Sequence, residues 1–328
     1  MKKNIIFYII ILIHYTVNAQ INFIGKIEKI NPALDKYVDE YSKIEILAKG
    51  FEWSEGPVWV DEINSVLFSD VPENKIYRWN ENDGLSVYIE PSGFSGKVPT
   101  SKKDGSNGLI LNSKNELLIC MHGDRKIAKL KRWGGGEFET IVNKFQGKRL
   151  NSPNDMVFTK NGDLIFTDPP YGLKNRNSDK LKELKVNGVY KLTKDGKLTL
   201  LVDNLTYPNG VALSNDDSIM YVNISDSTNP RIMAYDINGE TLTNERVFFD
   251  GRKLAEKNVG LFDGIKIHPD GTIFSTGPGG VLIIAENGTH LGTIKTVERT
   301  ANCTFDSNYE YLYMTSDMYL TRVKLKTN

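Results

Sequence analysis

Along most of the chain, apolar positions alternate with polar ones in short runs, and Asn, Asp, Gly and Pro punctuate the joins. Val66-Leu67-Phe68-Ser69-Asp70, Lys75-Ile76-Tyr77-Arg78-Trp79 and Leu85-Ser86-Val87-Tyr88 are such runs, separated by Pro72-Glu73-Asn74 and Asn82-Asp83-Gly84. With the run opened by Glu55-Gly56-Pro57-Val58-Trp59 they predict a four-stranded antiparallel meander. The frame then repeats. Further openings stand at Asn107-Gly108-Leu109, Asn154-Asp155-Met156, Asn209-Gly210-Val211, Asp263-Gly264-Ile265 and Asn302-Cys303-Thr304. They fall roughly 40 to 55 residues apart, the period of propeller blades. Long stretches of helical periodicity are absent, so the expected fold is all-β: a six-bladed β-propeller with four-stranded antiparallel blades.

The sixth repeat holds only three strand-like runs, at 303–305, 311–314 and 320–325, whereas the run at 44–48 has no partner in a repeat of its own. That early strand is expected to complete the last blade and leave no free sheet edge. Residues 21–41 are mixed in character, with Pro32 early, and predict an irregular arm or short helix across the outside. The polar stretch 174–185 reads as a loop inserted in the third repeat.

The 328 residues suffice for one large domain, and Lys+Arg and Asp+Glu, at 41 each, give none of the basic excess that tracks phosphate backbones. Nucleic acid is therefore not an expected partner. Lys2 and Lys3, the apolar run 5–13 and Val17-Asn18-Ala19 read as an export signal cleaved after Ala19. The expected organisation is a signal peptide over 1–19 and a single propeller domain over 20–328, with an N-terminal arm over about 20–43. The apolar run is about half the roughly 20 residues that span a bilayer, so no membrane association is expected after cleavage. The expected address is the periplasm or the cell exterior. Cys120 and Cys303 do not form a spaced framework and read as two separate thiols, with a bridge between them as the alternative.

In a propeller the residue opening each innermost strand points toward one mouth of the central channel. Glu55, Asn107, Asn154, Asn209, Asp263 and Asn302 would each bring a side-chain oxygen there, a donor set suited to a hard divalent cation such as Ca²⁺ or Mg²⁺. The plainer alternative is that Asn and Asp only make the tight turn into each strand. A Ser-His-Asp hydrolase is disfavoured, since no Gly-x-Ser-x-Gly elbow occurs. His122 ends a strand that could reach the channel mouth as a substrate contact or proton shuttle, or be a structural His. Tyr171 could wall the same site or simply pack. His268 and His290 stand at turns and are expected away from it.

Several stretches carry a resemblance. Ser54-Glu55-Gly56-Pro57-Val58-Trp59, Ser152-Pro153-Asn154-Asp155, Phe166-Thr167-Asp168-Pro169-Pro170-Tyr171-Gly172, Tyr207-Pro208-Asn209-Gly210-Val211-Ala212 and Phe262-Asp263-Gly264-Ile265 resemble the gluconolactonase/regucalcin (senescence marker protein) family, in its gluconolactonase-like branch. The resemblance implies a six-bladed propeller whose channel binds one catalytic divalent metal through Glu55, Asn154, Asn209 and Asp263. Ca²⁺ is the favoured ion, with Mg²⁺, Mn²⁺ and Zn²⁺ as alternatives. It also implies Asp263 as general base, ahead of Glu55, and Asp155 and Arg149 as contacts to substrate hydroxyls or carbonyl. The Ser152-Pro153 insertion before Asn154 departs from the spacing of the regucalcin branch. Asn107 falls in the ring outside the ligand set and stands as a substrate contact.

The function so implied is a secreted, metal-dependent hydrolase that opens a small-molecule sugar lactone of the gluconolactone type. A cation at the mouth would offset charge on the tetrahedral intermediate and acidify a water, whose proton Asp263 would take. Two alternatives remain open: a propeller hydrolase for another ester or modified sugar, and a non-catalytic propeller that binds carbohydrate or protein around a structural metal. Substrate choice would lie in loops such as 93–104 and 174–185.

Overall fold

The computed structural model describes residues 22–97 and 101–326. Six of its sheets are antiparallel blades in chain order, and the hairpin of Lys144–Phe145 with Lys148–Arg149 is a separate two-stranded sheet. Blade 1 runs Ser54–Val60, Ser65–Asp70, Lys75–Asn80, Gly84–Ile89 from the channel outward, and blade 2 Ser106–Leu111, Leu117–Met121, Lys126–Leu130, Phe138–Val142. Blade 3 comprises Met156–Phe158, Leu164–Asp168, Gly188–Leu192 and Leu198–Val202, and blade 4 Pro208–Leu213, Ile219–Ile224, Arg231–Asn238 and Thr241–Asp250. Blades 5 and 6 open with Ile265–Ile267 and Thr300–Phe305. The alternating sequence explains this layering, because the strands of each blade bury side chains between neighbouring blades. Phe68, Trp79, Tyr313 and Leu320, for example, pack together between blades 1 and 6.

Ile44–Lys49 closes the last blade. It pairs with Tyr319–Lys324 in the register Thr321↔Ile46 and Val323↔Ile44, so first and last segments of the domain share one sheet. The arm ahead of it is more regular than its sequence suggests. Asn22–Ile24 adds a fifth strand to blade 6 through Phe23↔Glu45, and Lys26–Lys29 adds a fifth to blade 5 through Ile27↔Ile294. Between these strands and Ile44–Lys49, the short 3₁₀ turn Pro32–Lys36 starts at Asn31, whose Oδ1 accepts the Ala33 N–H at 2.9 Å, and it buries Leu34 fully. Leu34 and Val38 join the apolar cluster of blades 5 and 6. These strands are too short, at three and four residues, for alternation to mark them out.

Cys120 and Cys303 are buried free thiols in different clusters, as two separate packing residues would be. Residues 1–19, expected to be a signal peptide, lie outside the described residues. No helix among the described residues is long and apolar enough to cross a membrane.

Candidate active site

The inner strands break their ladder where the channel begins. Register shifts fall between Glu55 and Val58, Ser106 and Leu109, Pro208 and Val211, and Thr300 and Asn302, while in blades 3 and 5 the ladder starts only after Asn154 and Asp263. A bulge of this kind re-aims one side chain out of the sheet. The glycine that follows most of these residues has a separate cause. The N–H of Gly108 donates to the Asn154 carbonyl at 2.9 Å, that of Gly210 to Asp263 at 2.9 Å and that of Gly264 to Ala301 at 2.8 Å. Adjacent blades approach so closely there that a Cβ on Gly56 or Gly210 would overlap the carbonyl of Asn107 or Asp263. Second-strand side chains tie the same ring: Ser69 Oγ donates to the Asn107 carbonyl at 2.8 Å, Thr167 Oγ1 to that of Asn209 at 2.7 Å, and Asn223 Nδ2 to that of Asp263 at 2.8 Å.

Above this girdle opens a cavity of about 450 Å³. Glu55, Asn107, Asn154, Asn209, Asp263, His122 and Tyr171 line it, together with Trp53, Lys103, Arg176, Ser225 and Arg299 among others. Five of the six strand-opening residues thus meet at one mouth. The sixth, Asn302, does not line it; its Oδ1 accepts the Cys303 N–H at 2.9 Å. Arg149 and Asp155 also lie off the lining. Arg149 is exposed on a small hairpin with Lys144–Phe145, where its N–H donates to Glu183 Oε2 at 2.7 Å. Asp155 is buried at the position that glycine fills in blades 1, 2, 4 and 5, with Oδ1 accepting the Met156 N–H at 2.9 Å and Oδ2 unpartnered. His268 and His290 stand apart from the cavity, the first packed on Tyr37, Phe274, Phe305 and Tyr309.

Two of the sequence motifs owe much of their character to holding this site. Asp168 accepts the N–H groups of Asn151 and Ser152 at 2.7 and 2.8 Å, which pins the loop that presents Asn154. Ser152 Oγ donates to the Pro169 carbonyl at 2.6 Å and accepts the Gly172 N–H at 2.9 Å, which fixes the turn that carries Tyr171. In the neighbouring blade 4 Asn209 Nδ2 donates to Ser225 Oγ at 2.9 Å, and Ser225 in turn donates to the Phe262 carbonyl. The Asn209 Oδ1 that remains is buried without a partner, as are Oδ1 of Asn107 and Asp263.

Burial controls the electrostatics. It pushes the Glu55 carboxyl up to about 7, with the Asp155 charge adding to the effect and the Gly56 N–H, donating at 2.9 Å, opposing it. Asp263 is raised well above the ordinary carboxylate range by burial and then by the negative charge of Glu55, against the pull of Lys103. Lys103 is lowered by burial although Asp263 favours its charge. Burial and the Lys103 ammonium hold His122 down at about 3, so its imidazole is neutral at neutral pH. Two acids whose charged forms repel thus share this lining with unpartnered amide oxygens.

Comparison with known proteins places this chain in a family. The sequence model of the SMP-30/gluconolactonase/LRE-like region matches residues 53–318, which take in the innermost strand of every blade and every lining residue. The chain belongs to that family. Within it, the gluconolactonase of Zymomonas mobilis is similar, 37% identical over 311 residues that make up 93% of this chain and 87% of that protein. Regucalcin of Bos taurus is 24% identical over 288 residues, 83% of this chain and 86% of that one. The solved structure of a Xanthomonas campestris gluconolactonase superposes with a TM-score of 0.80 at 27% identity, covering 94% of this chain and 98% of that one. The six-bladed architecture is therefore the family's.

Trp53, Lys103, Arg176, Ser225 and Arg299 escaped the sequence reading. Lys103 and Arg176 come from the loops 93–104 and 174–185, where no spacing rule fixes which side chain turns inward. Ser225 follows the second strand of blade 4, and only the closed fold shows what it holds.

Proposed function

We propose that this chain opens a sugar lactone by water attack, with a divalent cation held by Glu55, Asn154, Asn209 and Asp263 and with Asp263 as general base. The chain is a hydrolase of the gluconolactonase kind, as its family and its 37% identity to a gluconolactonase support. The observation that carries the metal-dependent part is the convergence of two buried carboxylates and two amides on one cavity, with Oδ1 of both Asn209 and Asp263 lacking any partner. Among the described residues no three His, Cys, Asp or Glu side chains cluster. The donor set is therefore mixed, and neutral amide oxygens beside two carboxylates fit a hard cation such as Ca²⁺ better than a soft one.

When bound, such a cation supplies Lewis acidity toward the lactone carbonyl and offsets the repulsion between Glu55 and Asp263. The chain's own residues do the rest. Asp263, raised by burial and by the charge of Glu55, takes a proton from the attacking water and can return it to the departing ring oxygen. Neutral His122 and the Tyr171 hydroxyl, whose ring stacks on Tyr207 at 5.8 Å, offer unpartnered hydrogen-bonding groups to sugar hydroxyls. The Ser225 contact keeps the Asn209 oxygen turned inward. The proposed address is outside the cytoplasm, supported by the pattern of residues 1–19.

The test is metal analysis of the purified protein with a pH-stat screen of sugar and aliphatic lactones, before and after chelation. Lactone opening that is lost on chelation and restored by Ca²⁺ or another divalent ion is the expected result. A chelated protein that retains full activity contradicts the metal assignment, and one that opens no lactone under any condition contradicts the activity.

A further inference from the structure

The cavity mouth carries more positive charge than opening a neutral lactone requires. Lys103, Arg176 and Arg299 line it, and Glu55 and Asp263 are the carboxylates among its lining residues. The three cations come from three separate segments: the loop before blade 2, the turn Arg176–Ser178 and the loop before blade 6. Many surface cations of this protein are paired, as Lys75 is with Glu73 and Arg322 with Glu45. Among the described residues these three make neither a salt bridge nor a side-chain hydrogen bond.

Aromatic faces hold two of them at the mouth. Lys103 Nζ lies 5.6 Å from the centre of the Trp53 ring and 5.9 Å from that of Tyr171, and the Arg176 guanidinium lies 5.9 Å from the same Tyr171 ring. Like charges so gathered repel, and both Arg176 and Arg299 disfavour the charged form of Lys103. Glu55 and Asp263 are committed to the cation under the function proposed above, so they are poor counter-ions for the trio. His122, 1% exposed, adds two buried ring nitrogens without partners to the same wall.

We propose that the sugar lactone opened here is acidic, carrying a carboxylate or phosphate at the end of the sugar chain remote from the lactone carbonyl, where Lys103, Arg176 and Arg299 receive it. The inference rests on the lactonase reading and names its substrate class. A neutral aldonolactone offers hydroxyls alone and leaves the three charges unmatched. Guanidinium groups suit planar carboxylate and tetrahedral phosphate through paired N–H donors, and the Lys103 ammonium adds a point charge. A cavity of about 450 Å³ has the volume of a small-molecule site.

The experiment compares the binding of gluconate, glucarate and 6-phosphogluconate to the metal-loaded protein by calorimetry, with hydrolysis of the corresponding lactones alongside. Glucarate or 6-phosphogluconate is expected to bind about 10- to 100-fold more tightly than gluconate, an advantage that shrinks as salt rises. Whichever of the two gains identifies the anion as carboxylate or phosphate. The Arg176→Gln/Arg299→Gln double variant, changed at two exposed positions, and separately Lys103→Met, should reduce that advantage and the matching preference in kcat/KM. If a protein that opens gluconolactone binds all three acids equally, or if the variants weaken neutral and acidic sugars alike, the inference is overturned and the lactonase reading stands. If no lactone is opened and no sugar acid is bound, both fall together.

Discussion

Asn209 presents its amide oxygen to the channel because Ser225 Oγ accepts its Nδ2–H at 2.9 Å, and Ser225 is itself anchored on the Phe262 carbonyl next to Asp263. One hydroxyl thus orients an amide from blade 4 and steadies the approach to the carboxylate of blade 5. If Asn209 holds a cation as proposed, Ser225 orients a metal ligand, and groups in that position commonly contribute 10- to 100-fold in metal affinity. Ser225→Ala is expected to fold normally and to bind Ca²⁺ about tenfold more weakly by calorimetry. An unchanged Kd would show that Asn209 holds its orientation without the serine.

The pair Glu55 and Asp263 makes metal-free stability depend on pH. Glu55 rises to about 7 in the folded protein from an ordinary value of 4.5, so the folded chain binds more protons than the unfolded one across that window. Stability of the metal-free protein must then fall as pH rises from about 5 to 7. Asp263, raised by the same burial and by Glu55, acts in the same direction. A cation bound as proposed would displace these protons, so its apparent affinity is expected to weaken as pH drops below about 7, and the thermal shift given by Ca²⁺ to grow from pH 5 to pH 7. Glu55→Gln should flatten the Tm profile of the chelated protein. A wild-type profile already flat over that range would mean the two acids are not crowded as the structure has them.

The glycines after the ring residues are expected to be sensitive for a reason other than turn formation. Gly210→Ala would drive a methyl group into the Asp263 carbonyl of the next blade. Overpacking of this kind costs about 1–3 kcal/mol, which should appear as a Tm several degrees lower together with weaker metal binding. Gly196, which has open space around its Cβ position but a φ of +89°, serves as a control: Gly196→Ala should lower Tm through backbone strain without touching metal affinity.

Ring closure is open to direct attack at Ile44, which is 1% exposed between Val323 and Ile24. Ile44→Asp buries a carboxylate without a partner, a change of several kcal/mol against the fold. Deletion of residues through Lys49 would in addition uncover the cluster that Leu34 and Val38 help to cover. Both proteins are expected to be aggregated or far less stable in thermal melts. Retention of the wild-type Tm by either would show that the ring closes without this strand.

How much was legible in the sequence follows from what repeats. Openers such as Asn209-Gly210 and Asp263-Gly264 recur once per blade, so blade number and the five openers that line the cavity could be read from spacing alone. Asn302 fits the same spacing yet bonds to its own strand, a difference of side-chain orientation that period does not encode. The strand Lys26–Lys29 was not visible because its partner, His290–Lys295, lies at the other end of the chain. Lys103, Arg176 and Arg299 sit in loops whose direction is set by tertiary packing. Arg149, placed by resemblance, stands on a hairpin beside Glu183, since the segment carrying it turns outward before Asn151 and Ser152 are caught by Asp168.

The most direct test of the catalytic assignment is the rate of lactone opening by Asp263→Asn, measured at saturating metal on protein shown by circular dichroism to be folded and by metal analysis to be loaded. The substitution preserves an oxygen donor and removes both the charge and the base. The expected loss is about 10² to 10⁴ in kcat, with a much smaller loss for Asn107→Ala, which alters the same cavity outside the donor set. A folded, metal-loaded Asp263→Asn protein that opens its best lactone at the wild-type rate would contradict the assignment of Asp263 as the base.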